Sequence, residues 1–186
     1  MKKLIQLCFL MVLSALFVAE TAMAQERGSS EPRTSPNASV SQTIGTTEVT
    51  ITYGRPAIKG RSYFGDGSDL APSGQVWRTG ANESAAITFS DDVMVGGKKV
   101  EAGTYSLYSM PSGKEWTIIL NNKLSWGTQY DMGEDYVRVP AAVVNNDAPM
   151  MEWFAIYFDS LSSDKAHLNL HWGTTKVAVP ITTGNM

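Results

Sequence analysis

Cysteine is nearly absent from this sequence: of its 186 residues one is a cysteine, Cys8, and it lies inside the apolar N-terminal run. Beyond that run no disulfide can staple the chain, and no cysteine nucleophile or thiolate metal site can form. Histidine is scarce as well, His167 and His171 only. They fall four residues apart in a segment with strand alternation, where a rise of about 3.3 Å per residue sets them roughly 13 Å apart, too far to share one metal. The reading is accordingly no metal and no cofactor. No Gly-x-Ser-x-Gly elbow occurs, and no apolar repeat of helical period is sustained, which argues against a hydrolase elbow and against a helical fold. Cationic excess is lacking too. With 15 Lys and Arg against 18 Asp and Glu the net charge is −3, which disfavours nucleic acid or an anionic membrane as a general partner, so any anion site must be local.

What is present begins with an export pattern. Lys2 and Lys3 precede an apolar run from Leu4 to Val18, and Ala22-Met23-Ala24 follows as a small-x-small processing site. The run is about fifteen residues, short of the roughly twenty that span a bilayer, so no membrane span is expected. Residues 1–24 read as a signal peptide and 25–38, rich in Ser, Pro, Glu, Arg and Asn, as a flexible tether. Residues 39–186 read as a single β domain, exported to the periplasm or the cell exterior.

Within that domain apolar and polar residues alternate with period two. Val49, Ile51 and Tyr53 take one side against Glu48, Thr50 and Thr52. The alternation returns at 87–89 and 93–95, turns at Gly96-Gly97, and continues at 104–110, 116–121, 136–139, 153–158, 167–172 and 176–181. Eight or nine short strands without helices predict an all-β, antiparallel β-sandwich. Its expected core holds Val49, Ile51, Tyr53, Ile87, Phe89, Leu107, Ile118, Leu120, Ile156, Phe158, Leu168, Leu170 and Val177. The stretch 54–74, glycine-rich and poor in strand formers, is a loop of the length that is usually functional or disordered.

From this loop onward the residues become recognisable. Gly54-Arg55-Pro56, Lys59-Gly60-Arg61, Phe64-Gly65, and above all Val76-Trp77-Arg78-Thr79-Gly80-Ala81-Asn82 resemble the signature of domain of unknown function family 2911, exported bacterial proteins. The resemblance continues through Ala102-Gly103-Thr104-Tyr105-Ser106-Leu107, Trp116-Thr117-Ile118-Ile119-Leu120-Asn121 and Trp126-Gly127. It implies an exported sandwich-like domain and brings no catalytic residues with it. Gly65 to Leu70, with Asp66 and Asp69, is longer and more acidic than the family's usual passage.

Two candidate ligand surfaces follow. The first is cationic: Arg55, Lys59 and Arg61 on the long loop with Arg78 after it, a set that would hold a carboxylate, sulfate or phosphate. Its structural alternative is that these side chains pin the loop to the sheet through Asp66, Asp69 or Glu83. The second is aromatic: Trp77, Trp126 and Tyr130 as faces for a sugar ring, with Asn82, Asp131 and Arg78 for its hydroxyls, against the alternative of aromatics capping the core. Asp131, Glu134 and Asp135 would serve a glycosidase only if two of them faced one cleft, and Asp66, Ser68 and Asp69 match a calcium loop loosely. The leading reading is a non-enzymatic exported domain that binds a small-molecule or glycan ligand between Gly54 and Asn82. A hydrolytic enzyme on the same scaffold and a cell-envelope interaction module stay open. The processing site makes the first prediction: the exported protein should begin at Gln25 and carry no thiol. Intact mass checks it, and a retained Met1 or a lipid on Cys8 would overturn it.

Overall fold

The computed structural model describes residues 31–113, 115–145 and 147–184. The expected signal peptide and most of the expected tether lie outside the described residues. Chain contacts cluster into a compact unit that begins at Thr34, and the first strand, β1 (Asn37–Ile44), starts two residues ahead of the expected tether boundary. Asn37 and Ala38 are taken into the sheet by pairing with Gly54 and Tyr53 of β2 (Thr47–Gly54).

The all-β expectation holds: every strand pair in the main sheet is antiparallel. The remaining strands are β3 (Phe64–Gly65), β4 (Ala71–Pro72), β5 (Ala81–Phe89), β6 (Val93–Val95), β7 (Lys98–Val100), β8 (Gly103–Met110), β9 (Glu115–Asn121), β10 (Asp135–Asn145), β11 (Met151–Asp159), β12 (Lys165–Gly173) and β13 (Thr175–Thr182). Nine of them follow one hydrogen-bonded path, β1-β2-β5-β8-β9-β10-β13-β12-β11, and β6 joins through β13. The turn expected at Gly96-Gly97 joins β6 to β7, its φ values of 55° and 80° suiting a tight hairpin, and β8 pairs with β9 in a second hairpin. No helix of the described residues is long and apolar enough to cross a membrane.

This single sheet is nearly closed, a layout between the sandwich expected and a barrel. Its core face carries the alternating residues: Val49, Ile51, Ile87, Phe89, Leu107, Ile118, Leu120, Leu168, Leu170 and Val177 are buried, whereas Phe158 is only partly so. Between the path's two ends, β1 and β11, the closure is made by other means. The Tyr53 phenol accepts from Ile156 N at 2.9 Å and donates to Ile156 O at 3.4 Å, and Arg55 Nε donates to Phe154 O at 2.8 Å. Just beyond β2 the backbone itself pairs with β11: Phe154 N donates to Pro56 O and Ile58 N to Glu152 O.

The long loop after β2 is in large part packed on the core, with residues 59–62 exposed. Ile58 and Ala71 are buried in the core and Tyr63, Phe64 and Leu70 pack against it. Phe64 meets Trp116, Trp77 and Trp172 edge-on with ring centroids 4.6, 5.5 and 5.6 Å away. The Tyr63 hydroxyl accepts from Thr174 N at 3.2 Å. Ser68 shapes the acidic turn: its hydroxyl donates to Ser62 O and accepts from Leu70 N and Ala71 N, which occupies the oxygen that a calcium loop would use. The loop is thus an aromatic plug.

The seam generates a prediction. Tyr53→Phe keeps the ring and removes the hydroxyl that accepts from Ile156 N, so unfolding free energy should fall by about 1–3 kcal/mol, the cost of a buried donor left without an acceptor. Denaturant unfolding measures it, and an unchanged midpoint would show that β11 finds another partner.

Candidate functional site

The Trp77 to Asn82 string runs from the plug into β5 with positive φ at Thr79, Gly80 and Asn82. Trp77 pairs with Ser109, donating N–H to its carbonyl at 2.7 Å. Thr79 then takes φ 52° and Asn82 φ 66°, left-handed values that are uncommon for any side chain and an outlier for a β-branched one. Two contacts hold them there: Thr79 Oγ1 donates to Ser109 Oγ at 2.9 Å, and Asn82 Nδ2 to Ser35 O at 3.0 Å. Strained backbone of this kind concentrates at functional sites, which directs attention to the residues it carries.

Arg78 is the first of them. Its side chain leaves the core side, where Trp77 points, and its stem lies on Gly127. A Cβ at 127 would overlap Arg78 Cδ and come within 2.8 Å of Arg78 Cβ, so only glycine admits this approach. Among the described residues the Arg78 guanidinium has no hydrogen bond and no ion pair, and its Nε is enclosed without an acceptor. Burial alone pushes the guanidinium below its ordinary pKa.

Gly127 belongs to the segment between β9 and β10, which folds over the outer face of β5, β8 and β9. That face is buried and polar where an exposed strand face would be wet. Ser84 Oγ and Ser106 Oγ lie 2.7 Å apart, Ser106 Oγ donates to Lys123 O, and Tyr108 Oη and Ser125 Oγ lie 3.0 Å apart. The backbone is pinned alongside: Ser84 N donates to Ser125 O, Gly127 N to Asn82 O, and Trp126 bridges Glu83. On this fastened segment Trp126 remains 50% exposed.

The sequence-predicted residues therefore separate. The stem of Arg78 and the backbone of Asn82 both meet Gly127, and Trp126 precedes it in the chain. The other cations do not join them. Arg55 Nε is spent on β11, and Arg61 donates from Nε to Ile58 O and from a terminal nitrogen to Ala57 O. Lys59 is exposed, with its backbone N–H on the Glu152 carboxylate. The loop is pinned, as the structural alternative required, through the carbonyls of Phe154, Ile58 and Ala57 and through the Glu152 carboxylate. Trp77 is corrected from ligand platform to core: 6% exposed, it stacks on Trp172 with centroids 5.7 Å apart and planes 8° from parallel.

Tyr130 and Asp131 anchor the outer segment. Asp131 caps a 3-10 turn over Met132–Glu134, accepting from Gly133 N at 3.0 Å. Asp135 accepts from Tyr130 Oη, Arg138 Nε and Asn121 Nδ2, and an Arg138 terminal nitrogen reaches Tyr130 Oη at 2.7 Å. Sequence reasoning missed Arg138, Asn121 and the buried serines, since polar residues on a strand's second face read as solvent-facing. His171 is buried with Nε2 3.1 Å from Pro149 O, while His167 Nδ1 lies 3.9 Å from Asp159. A surface cavity of ≈ 360 Å³ between Thr46, Asp92 and Asp164 contains none of the predicted site residues.

A family model described as Protein of unknown function (DUF2911) matches residues 35–181. No curated protein and no solved structure matches the chain.

The anchor titrates in a way that can be tested. Burial, then the hydrogen bond to Asp135, pushes the Tyr130 phenol up to about 12, and burial, then Tyr136, does the same for Tyr105. Unfolded tyrosine ionises near pH 10, so the stability held by the neutral phenols is complete below about pH 10 and is lost as pH rises toward 12. Denaturant midpoints should fall across that window, and Tyr130→Phe should make the fall shallower. An identical slope in the variant would contradict the assignment.

Proposed function

Since the chain belongs to the DUF2911 family, described only as of unknown function, we propose its role from its own geometry: an exported domain that binds a small anionic ligand through Arg78. One observation carries this reading. Arg78 holds a partly buried positive charge with no hydrogen bond or ion pair among the described residues. A cation in such a place has lost part of its hydration without gaining a counter-charge, and an oxyanion restores that interaction with little competition from water. Arginine's fork suits a carboxylate, sulfate or phosphate.

The surroundings support binding over hydrolysis. Of the three carboxylates weighed for a glycosidase pair, Asp131 caps its turn and Asp135 takes three donors, while Glu134 lies exposed on the 3-10 turn between them. Export rests on the N-terminal pattern of Lys2, Lys3, the apolar run and Ala22-Met23-Ala24.

Arg78→Met tests the reading because it keeps the stem that packs on Gly127. Thermal stabilisation of the protein by simple carboxylates and oxyanions at fixed ionic strength should vanish in the variant. Its unfolding free energy without ligand should stay level or rise by about 1 kcal/mol, since an enclosed N–H without an acceptor is removed. A loss of roughly 3–5 kcal/mol, as for breaking a buried ion pair, would make Arg78 a structural clamp and overturn the proposal.

A further inference from the structure

We infer that the ligand of the Arg78 site is an acidic saccharide, a sugar ring lying on Trp126 with its carboxylate on Arg78. This rests on the anion-binding reading and goes further by naming what carries the charge. The two surfaces that the sequence presents separately, one cationic and one aromatic, meet at adjacent residues: Arg78 packs on Gly127, and Trp126 precedes it.

The aromatic half of the site is held open. A tryptophan half out of water exposes apolar area that a folded chain normally buries, and here the backbone on either side of it is tied down. Ser125 O accepts from Ser84 N, Gly127 N donates to Asn82 O, and Gln129 N donates to Trp126 O at 2.8 Å. The backbone that carries the ring is held in place, and the exposed indole offers the flat apolar surface that the apolar face of a pyranose requires. Thr128 and Gln129, both exposed, follow directly and offer polar groups to hydroxyls.

The cationic half constrains the approach. Because Arg78 Nε is enclosed, only the terminal nitrogens of the guanidinium can meet a ligand. Their end-on fork matches the two oxygens of a planar carboxylate. A free inorganic anion would satisfy Arg78 and leave Trp126 unused, whereas a neutral sugar would use Trp126 and leave Arg78 unpaired. A sugar acid engages both.

Calorimetric titration of the processed protein with a galacturonate oligosaccharide, its uncharged galactose counterpart, acetate and sulfate decides among these. The acidic oligosaccharide should bind at least tenfold more tightly than each of the others. Arg78→Met should weaken it by about 10- to 100-fold, the worth of charge-assisted hydrogen bonds, and Arg78→Lys should fail to restore it because lysine has no fork. Trp126→Ala should weaken it by about fivefold and abolish the change in tryptophan fluorescence on binding. If acetate and sulfate bind as well as the saccharide, dependent on Arg78 and indifferent to Trp126→Ala, the saccharide inference fails and the anion site stands. If none of the four binds in a manner that depends on Arg78, both readings fail.

Discussion

Backbone groups at the edge of a sheet must find hydrogen-bond partners, and in this protein the phenol of Tyr53 and the guanidinium of Arg55 do for β11 what a neighbouring strand would do. The sheet path ends at β1 on one side and β11 on the other, with no ladder between them. Tyr53 serves both backbone groups of Ile156, Arg55 takes the carbonyl of Phe154, and Pro56 and Ile58 continue the pairing with main-chain bonds. Side-chain closure leaves the gap without a strand's worth of residues and fixes where the chain goes next. The long loop departs from the seam, and its Tyr63 and Phe64 turn into the aromatic interior beside Trp172. Trp77 then stacks on the same indole, which sets the direction of the residue after it. The position of Arg78 is thus a remote consequence of how β11 satisfies its edge.

The same residues explain why the backbone between Trp77 and β5 tolerates strain. Left-handed Thr79 and Asn82 each cost on the order of 1–3 kcal/mol and persist only where their surroundings over-determine them. Here the surroundings are a tryptophan locked by stacking on one side and a strand on the other, with Ser109 and Ser35 taking the side-chain bonds. An unpaired, partly desolvated guanidinium beside that strain makes this corner a concentration of unfavourable terms. The rest of the fold, with its continuous core from Ile44 to Ile181, offsets them. Stability and ligand recognition pull in opposite directions at such a place.

The strands were legible in the sequence because their apolar residues repeat with the period of the pleat, as in Val49-Thr50-Ile51-Thr52-Tyr53, and the residues so chosen form the core. β1 was less legible, since Asn37 to Thr43 is mostly Ser, Thr, Asn and Gln and its strand character comes from pairing with β2. The plug was not legible at all: Ile58, Tyr63, Phe64 and Leu70 follow no period, and their burial depends on an opening that exists only after the sheet has curled. For the same reason Trp77 looked like a surface aromatic, flanked by polar and glycine residues along the chain and enclosed by Phe64, Phe154 and Trp172 in space. Arg78 could be singled out from the string that holds it. That Arg55 and Arg61 would be committed to carbonyls could not, because a carbonyl acceptor leaves no trace in sequence.

The outer face of β5, β8 and β9 completes the argument for a built site. A strand face covered only by solvent leaves loops above it free to move, whereas Ser84, Ser106, Tyr108 and Asn121 bind the segment above them through partly buried hydrogen bonds. If the segment lifted away, each of those bonds would be exchanged for a bond to water, at the modest net cost of losing several intramolecular hydrogen bonds together. The segment is therefore held by the groups it shelters, and Asp135 with Tyr130 and Arg138 fastens its far end. A loop fixed in this way presents Trp126 and the Gly127 seat of Arg78 at a set spacing before any ligand arrives. For the ligand proposed above, little ordering entropy would remain to be lost on binding, which favours one ring and one charge on a fastened segment over the same pair on a loose one.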